Sequence, residues 1–291
     1  MSDSPRRPAG FPLERLTTRD HSRAAAGMTY VYPVRSRRAA GVSIGINLNP
    51  NNACNWRCVY CQVPGLRRGS APRIDLARLD AELRAFLAGL AGPPSAGAQA
   101  RGLESVVDIA ISGNGEPTSA REFADVAALI CRIIAEFGLA PGVRPRVITN
   151  GSLVGRAHVD DGLRRLAACG GEAWFKVDAG SAEGFARVND VLLTPGQVAR
   201  RLRRCAELIP TWVQTCAFAM DGAGPTDAAI EAYLDLLRQA DAAGLQGVLL
   251  YGLARPSLQP EARRLSPLPE AELDRIAGKI RQIGLTVRVS P

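Results

Sequence analysis

From Gly41 onward the chain alternates short apolar runs with longer amphipathic ones, and this rhythm restricts the fold more than any other feature of the sequence. The short runs predict strands at 42–48, 106–112, 146–149, 173–178, 212–217, 247–253 and 285–289. Between them, apolar residues recur at i, i+3/i+4 and predict helices near 75–91, 119–138, 155–169, 194–208, 226–243 and 268–283. Repeated strand–helix units joined by right-handed crossovers build a parallel sheet, either closed into a barrel or left open. The expected fold is therefore α/β, a partial (β/α)6-type parallel barrel in a single domain. Residues 1–28, rich in Pro, Arg and Ser without a period, read as a poorly ordered tail. A core domain is expected over 29–260, with 261–291 as a helix-strand extension packed on it.

Sheets of this kind carry their chemistry at the carboxyl ends of the strands. Here the unusual polar and glycine-rich clusters all follow a predicted strand: Cys54–Cys61, Gly113-Asn114-Gly115-Glu116-Pro117, Thr149-Asn150-Gly151-Ser152, Asp178-Ala179-Gly180 and Tyr251 to Pro256. The first of them, Cys54-Asn55-Trp56-Arg57-Cys58-Val59-Tyr60-Cys61, has the spacing C-x3-C-x2-C. Three thiolates on one loop can ligate three corners of a cubane iron–sulfur cluster. The fourth iron has no nearby cysteine, whereas an electron-transfer ferredoxin would cap it. An open iron points to direct binding of a substrate or cofactor, hence to catalysis. The alternative is a structural zinc site. It would need a fourth ligand, and Cys131, Cys169, Cys205, Cys216, His21 and His158 are distant singles.

Composition narrows the setting. Hydrophobic residues at 46% and charged residues at 22% are those of a globular protein rather than a disordered chain. No apolar run approaches a membrane span, and no apolar signal core follows Met1–Arg7, so a cytoplasmic protein is expected. Seven cysteines, three of them in one metal-like run, fit a reducing compartment better than a disulfide framework. The net charge is +8, and of 36 basic residues only Lys176 and Lys279 are lysine. Arginine forks onto phosphate oxygens, so the clusters Arg35, Arg37, Arg38 and Arg200, Arg201, Arg203, Arg204 are compatible with RNA. They are equally compatible with a compositional habit and, for the second cluster, with a solvated helix face.

Other candidate site residues follow from local pattern. Gly113 and Gly115 let backbone amides approach a ligand, and Pro117 opens a helix whose N-terminal dipole favours a carboxylate. An ordinary strand-to-helix turn would have the same residues. Alternation along 173–178 turns Ala173, Phe175 and Val177 to the helices and Trp174, Lys176 and Asp178 inward. Lys176 and Asp178 are therefore pocket candidates or a mutual ion pair. By the same parity Gln214 faces the interior. Asn150 suits a ribose contact or an Asn-Gly turn. Tyr251 and Arg255 could hold substrate, Arg255 as a fork for carboxylate or phosphate, or Arg255 is a surface residue before a proline.

The cysteine run, with the aromatic Tyr60 before its last cysteine, and Asn114-Gly115-Glu116-Pro117 after the second strand together resemble the radical S-adenosylmethionine (SAM) enzymes. The second segment matches their GGEP motif except for Asn114 at its first position. The resemblance runs from about Gly41 to Arg255. It implies a [4Fe-4S] cluster on Cys54, Cys58 and Cys61 whose open iron takes the amino and carboxylate groups of SAM. One electron then cleaves the sulfonium to methionine and a 5′-deoxyadenosyl radical. It also implies an external one-electron reductant such as flavodoxin or ferredoxin. On this reading Tyr60, Asn114, Gly115, Glu116, Pro117, Asn150 and Gln214 bind the cofactor, and Lys176, Asp178 and Arg255 are the candidate catalytic residues.

Within that superfamily Ser36-Arg37-Arg38, Ser43-Ile44-Gly45-Ile46-Asn47, Cys58 to Gln62, Ser112 to Thr118 and Thr149 to Ser152 resemble the iron–sulfur oxidoreductase group containing the tRNA wyosine-base synthases. Those enzymes carry a second cluster on upstream cysteines, and residues 1–53 here hold none. The substrate is thus a small molecule, a peptide or RNA. A non-catalytic iron–sulfur or zinc protein is the reading from another class.

Overall fold

The computed structural model describes residues 27–36, 41–91 and 105–291. Most of the expected tail, and Arg37 and Arg38, lie outside the described residues. In chain order the elements are β1 (Val31–Ser36), β2 (Gly41–Ile46), β3 (Ala53–Cys54), β4 (Arg67–Arg68), α1 (Leu76–Ala91), β5 (Val106–Ile111), α2 (Phe123–Glu136), β6 (Arg144–Thr149), α3 (Ala157–Ala168), β7 (Glu172–Lys176), α4 (Ala182–Asn189) and α5 (Pro195–Leu208). They continue with β8 (Thr211–Met220), α6 (Asp227–Gln239), β9 (Gly247–Gly252), β10 (Leu265–Pro267), α7 (Glu270–Gln282) and β11 (Val287–Ser290).

The main sheet runs β1-β2-β5-β6-β7-β8-β9-β11, with β10 added on β8. From β2 through β11 every neighbouring pair is parallel, while β1 is antiparallel to β2. Each of β2, β5, β6, β7, β8 and β9 is followed by helix, as expected for an incomplete (β/α)6 barrel. Among the described residues the two ends of the sheet, β1 and β11, do not pair with each other. The α7–β11 segment docks through the parallel β11–β9 pairing, as a further half-unit of the same repeat.

Periodicity explains the layers. On α2, Phe123, Val126, Ile130, Ile133 and Ile134 share one face and are buried against the sheet. On β7, Ala173 and Phe175 join that helix-facing core together with Val177, so the odd-numbered face is the outer one. Helix α5 begins at a capping box, Thr194 Oγ1 accepting from Gln197 N and Gln197 reaching back to Thr194 N, with Pro195 in the first turn. Its arginines are not simply solvated: Arg204 pairs with Asp160 and Glu207, and Arg203 donates to Gln239 O.

The floor of the barrel is ionic. Arg146 pairs with Asp108 and Glu172 and lies 4.8 Å over the Trp174 ring, and Ser43 donates to Asp108. Burial raises the Asp108 carboxyl pKa, and Arg146 opposes that rise. Two cysteines expected as unpaired singles are joined: Cys131 of α2 and Cys169 after α3 form a disulfide. The 38 residues separating them in sequence conceal their proximity, because α2 and α3 pack side by side. Cys205 and Cys216 are buried thiols outside any disulfide. Among the described residues no helix is long and apolar enough to cross a membrane.

Candidate functional site

The carboxyl ends of the strands surround a cavity of about 270 Å³. Cys54, Cys58, Cys61, Tyr60, Asn114, Gly115, Glu116, Asn150, Lys176, Gln214 and Arg255 all line it, together with Tyr32, Gln62, Trp174 and Tyr251. Of the residues expected at the site, Pro117 and Asp178 stand outside this lining. Pro117 is buried and opens a 3-10 turn, and Asp178 lies beneath the cysteine loop.

The loop is pinned from three sides. Its first cysteine lies on β3, and Gly69 N donates to Cys54 O at 3.0 Å. The end of α4 accepts from its middle: Arg57 N to Asn189 O at 3.1 Å and Val59 N to Val188 O at 2.9 Å. The segment after β9 holds its far end, with Leu258 N to Cys61 O at 2.9 Å, Ser257 Oγ to Val59 O at 2.6 Å and Gln259 Nε2 to Val63 O at 3.1 Å. Arg57 then bridges Asp190 and Glu261. Below the loop Val59, Tyr60, Cys216, Phe218 and Met220 form a small apolar cluster.

Asparagines stitch this loop to the neighbouring strand ends. Asn47 Oδ1 accepts from the backbone of Asn49 and of Asn114, and Asn49 Nδ2 donates to Ala53 O. Asn114 Nδ2 donates to Asn52 Oδ1 at 2.7 Å, with Asn52 in the left-handed region at φ 54°. Asn55 joins Ser152 and Asn150 at 2.7 and 2.8 Å. Asn114 and Asn150 are expected site residues, whereas Asn47, Asn49, Asn52 and Asn55 are not, although five asparagines within residues 47–55 are a readable signal: Asn both donates and accepts and tolerates left-handed backbone.

Glu116 is the knot of the second segment. Its carboxylate accepts from Thr118 N and Oγ1, Thr149 Oγ1 and Asn150 N, which ties the end of β5 to the end of β6. Burial raises its pKa, and these hydrogen bonds oppose the rise. The glycines beside it are required by space. A Cβ on Gly115 would stand 2.0 Å from Ala53 O, and one on Gly113 would stand 2.3 Å from Asn47 Oδ1. Gly115→Ala is therefore expected to push the 113–116 loop off the cysteine loop. It should lower stability by about 1–3 kcal/mol, readable in denaturant unfolding, since the obstructing atom is backbone and cannot rotate away.

Lys176 and Asp178 do form a pair, though a loose one, at 3.9 Å. Asp178 Oδ2 accepts from Tyr60 Oη at 2.5 Å and Asn189 Nδ2 at 3.0 Å, and Oδ1 accepts from Cys216 N at 3.0 Å. Lys176 Nζ donates to Tyr251 Oη at 3.2 Å and sits 4.9 Å over the Tyr60 ring. Burial disfavours its charge, but Asp178, Tyr251 and the neighbouring thiols outweigh burial and hold its pKa above the ordinary lysine value. Lys176 is cationic at neutral pH.

Asn114 Oδ1, an acceptor, and Gln214 Nε2, a donor, are buried in the lining without a hydrogen-bond partner. Unmet polar atoms in such a place fit a ligand bearing both an N–H donor and an oxygen or nitrogen acceptor. Among the described residues no three His, Cys, Asp or Glu side chains converge on a single-ion site. Cys54, Cys58 and Cys61 all line the same cavity. Burial pushes the Cys54 and Cys58 thiols up to about 12.

A separate surface cavity of about 750 Å³ adjoins Asn55 and is lined by Arg73, Arg121, Arg156, His158 and Glu122.

No family model matches this chain, and no curated protein does. Solved structures do match. A radical SAM methyltransferase from Sphaerobacter thermophilus aligns over 89% of this chain and 68% of its own, at 17% identity and a TM-score of 0.56. The histidine-tagged protein anSMEcpe with bound AdoMet aligns over 85% of this chain and 63% of its own, at 13% identity and a TM-score of 0.52. The chain thus spans about two thirds of the length of these proteins and has their fold, that of a radical SAM methyltransferase and of an AdoMet-binding protein.

Proposed function

We propose that this chain is a radical SAM enzyme that holds a [4Fe-4S] cluster on Cys54, Cys58 and Cys61 and SAM beside it. The observation that carries the reading is one cavity that gathers all three cysteines, the Asn114–Glu116 segment and the unmet Asn114 Oδ1 and Gln214 Nε2 at the carboxyl ends of parallel strands. The bound pair would supply reductive cleavage of the sulfonium to a 5′-deoxyadenosyl radical, with the electron from an external carrier such as flavodoxin or ferredoxin. This chain's residues supply the setting. Asn114 Oδ1 accepts from an amino group, Gln214 Nε2 donates to an acceptor, and the Tyr60 and Tyr251 rings shield the space around protonated Lys176. Arg255 offers a guanidinium to an anionic group of the substrate.

Anaerobic reconstitution should load about four irons and four sulfides per chain, and SAM should then perturb the spectrum of the reduced cluster. Uptake of zinc without sulfide would refute the reading in favour of a structural zinc protein.

The basic cavity beside Asn55 favours RNA as substrate over a free metabolite, in keeping with the wyosine-synthase resemblance. Arg73, Arg121 and Arg156 line that cavity and suit phosphate oxygens, with Arg73 also paired to Glu122. On this reading purified protein binds tRNA at low salt and loses it steeply as salt rises, measured by filter binding. No binding at low salt would leave a small molecule or peptide as substrate.

A further inference from the structure

Asn189, the last residue of α4, is completely buried, and its carboxamide stands between Cys58 and the counter-ion of Lys176. Nδ2 is 3.2 Å from Cys58 Sγ and 3.0 Å from Asp178 Oδ2. A carboxamide has two N–H protons, so each acceptor receives one. Chemistry fixes the orientation of the amide, because turning it over would set its oxygen against the Asp178 carboxylate, which can only accept.

The backbone leaves Asn189 little room to move. Its carbonyl accepts from Arg57 N and that of Val188 accepts from Val59 N, so the last turn of α4 grips the residues on either side of Cys58. Asp190 ends the helix in the left-handed region at φ 54° and pairs with Arg57 and Arg68. Asp178 is anchored in turn by Tyr60 Oη and Cys216 N.

A donor aimed at a cluster's sulfur ligand stabilises the more negative, reduced state and raises the reduction potential. We infer that Asn189 is a positioning residue that sets the reduction potential of the cluster by holding an N–H on the Cys58 sulfur, with Asp178 keeping that amide in orientation. The inference rests on the radical SAM reading given above. It adds a consequence: the carboxylate that balances Lys176 on the cavity wall also aims the hydrogen bond at the cluster.

The test is a potentiometric titration of anaerobically reconstituted protein, following the reduced cluster by electron paramagnetic resonance. Asn189→Leu removes the donor at nearly constant volume, Asn189→Ala removes it with a cavity instead, and Asn189→Gln retains it. Leu and Ala variants are expected to show a roughly tenfold lower ratio of reduced to oxidised cluster at a fixed potential, 59 mV for one electron, with Gln recovering part of the shift. If Asn189→Leu fails to load, the Ala variant decides. A loaded Leu or Ala variant with the potential of the natural protein overturns the inference. Failure of the natural protein itself to take up iron and sulfide overturns the radical SAM reading with it, and is a distinct result.

Discussion

Replacing any one of Cys54, Cys58 or Cys61 with Ala should abolish both the visible absorbance of the reconstituted protein and its release of 5′-deoxyadenosine from SAM. The effect is total because the loop supplies all the thiols at the cavity. Cys205 lies buried on α5 and Cys216 packs beneath Tyr60, and neither lines the cavity. Loss of one ligand leaves two, with no cysteine in place to substitute. Cys205→Ala is the control, since it shortens a core side chain and leaves the cluster loop intact; it should load iron and sulfide as the natural protein does. Iron and sulfide determination on the purified variants gives the comparison. A Cys58→Ala protein with full cluster content would show that the three cysteines are not the ligand set.

Asp178→Ala should be the most destabilising change at the site outside the cysteines, by about 3–5 kcal/mol in denaturant unfolding of the cluster-free protein. The carboxylate is wholly buried and serves Tyr60 Oη, Asn189 Nδ2, Cys216 N and the Lys176 charge together. Its removal leaves three donors unmet and a buried cation without its counter-ion. Asp178→Asn keeps the volume and one acceptor and should cost less. The pH dependence separates charge from packing. In the natural protein the raised Lys176 pKa contributes stability that is complete below the unfolded lysine value of 10.5 and is lost as pH rises through the higher folded value. Without Asp178 the largest influence opposing burial is lost, so the Lys176 pKa falls and the variant retains less of the stability that disappears at alkaline pH. Lys176→Met in the Asp178→Ala background should remove that dependence.

Much of the scaffold was legible because period-2 and period-3.6 patterns report directly which face is buried. The alternation along 173–178 placed Trp174 and Lys176 inside and Phe175 outside, and the turn clusters after the strands fall at one rim of the sheet. Edges were less legible. β1 pairs antiparallel with β2 outside the repeat, and α4 spans eight residues, too few for a periodic signal to separate it from a loop. That short helix brings Asn189 to Cys58 across 131 residues of sequence. The asparagine stitching, the Ser257 and Gln259 contacts to the cysteine loop and the Cys131–Cys169 bond are tertiary matches between single residues. No local pattern encodes such matches, so only the folded chain displays them. Strand parity faces Asp178 to the pocket, whereas the folded chain sets it under the cysteine loop, outside the cavity lining and bonded to Tyr60 and Asn189.

The most direct measurement is product analysis of SAM incubated with dithionite-reduced protein whose iron and sulfide content is complete. Formation of 5′-deoxyadenosine, lost in Cys58→Ala, is the expected result. Intact SAM after incubation with fully loaded, fully reduced protein would contradict the radical SAM reading.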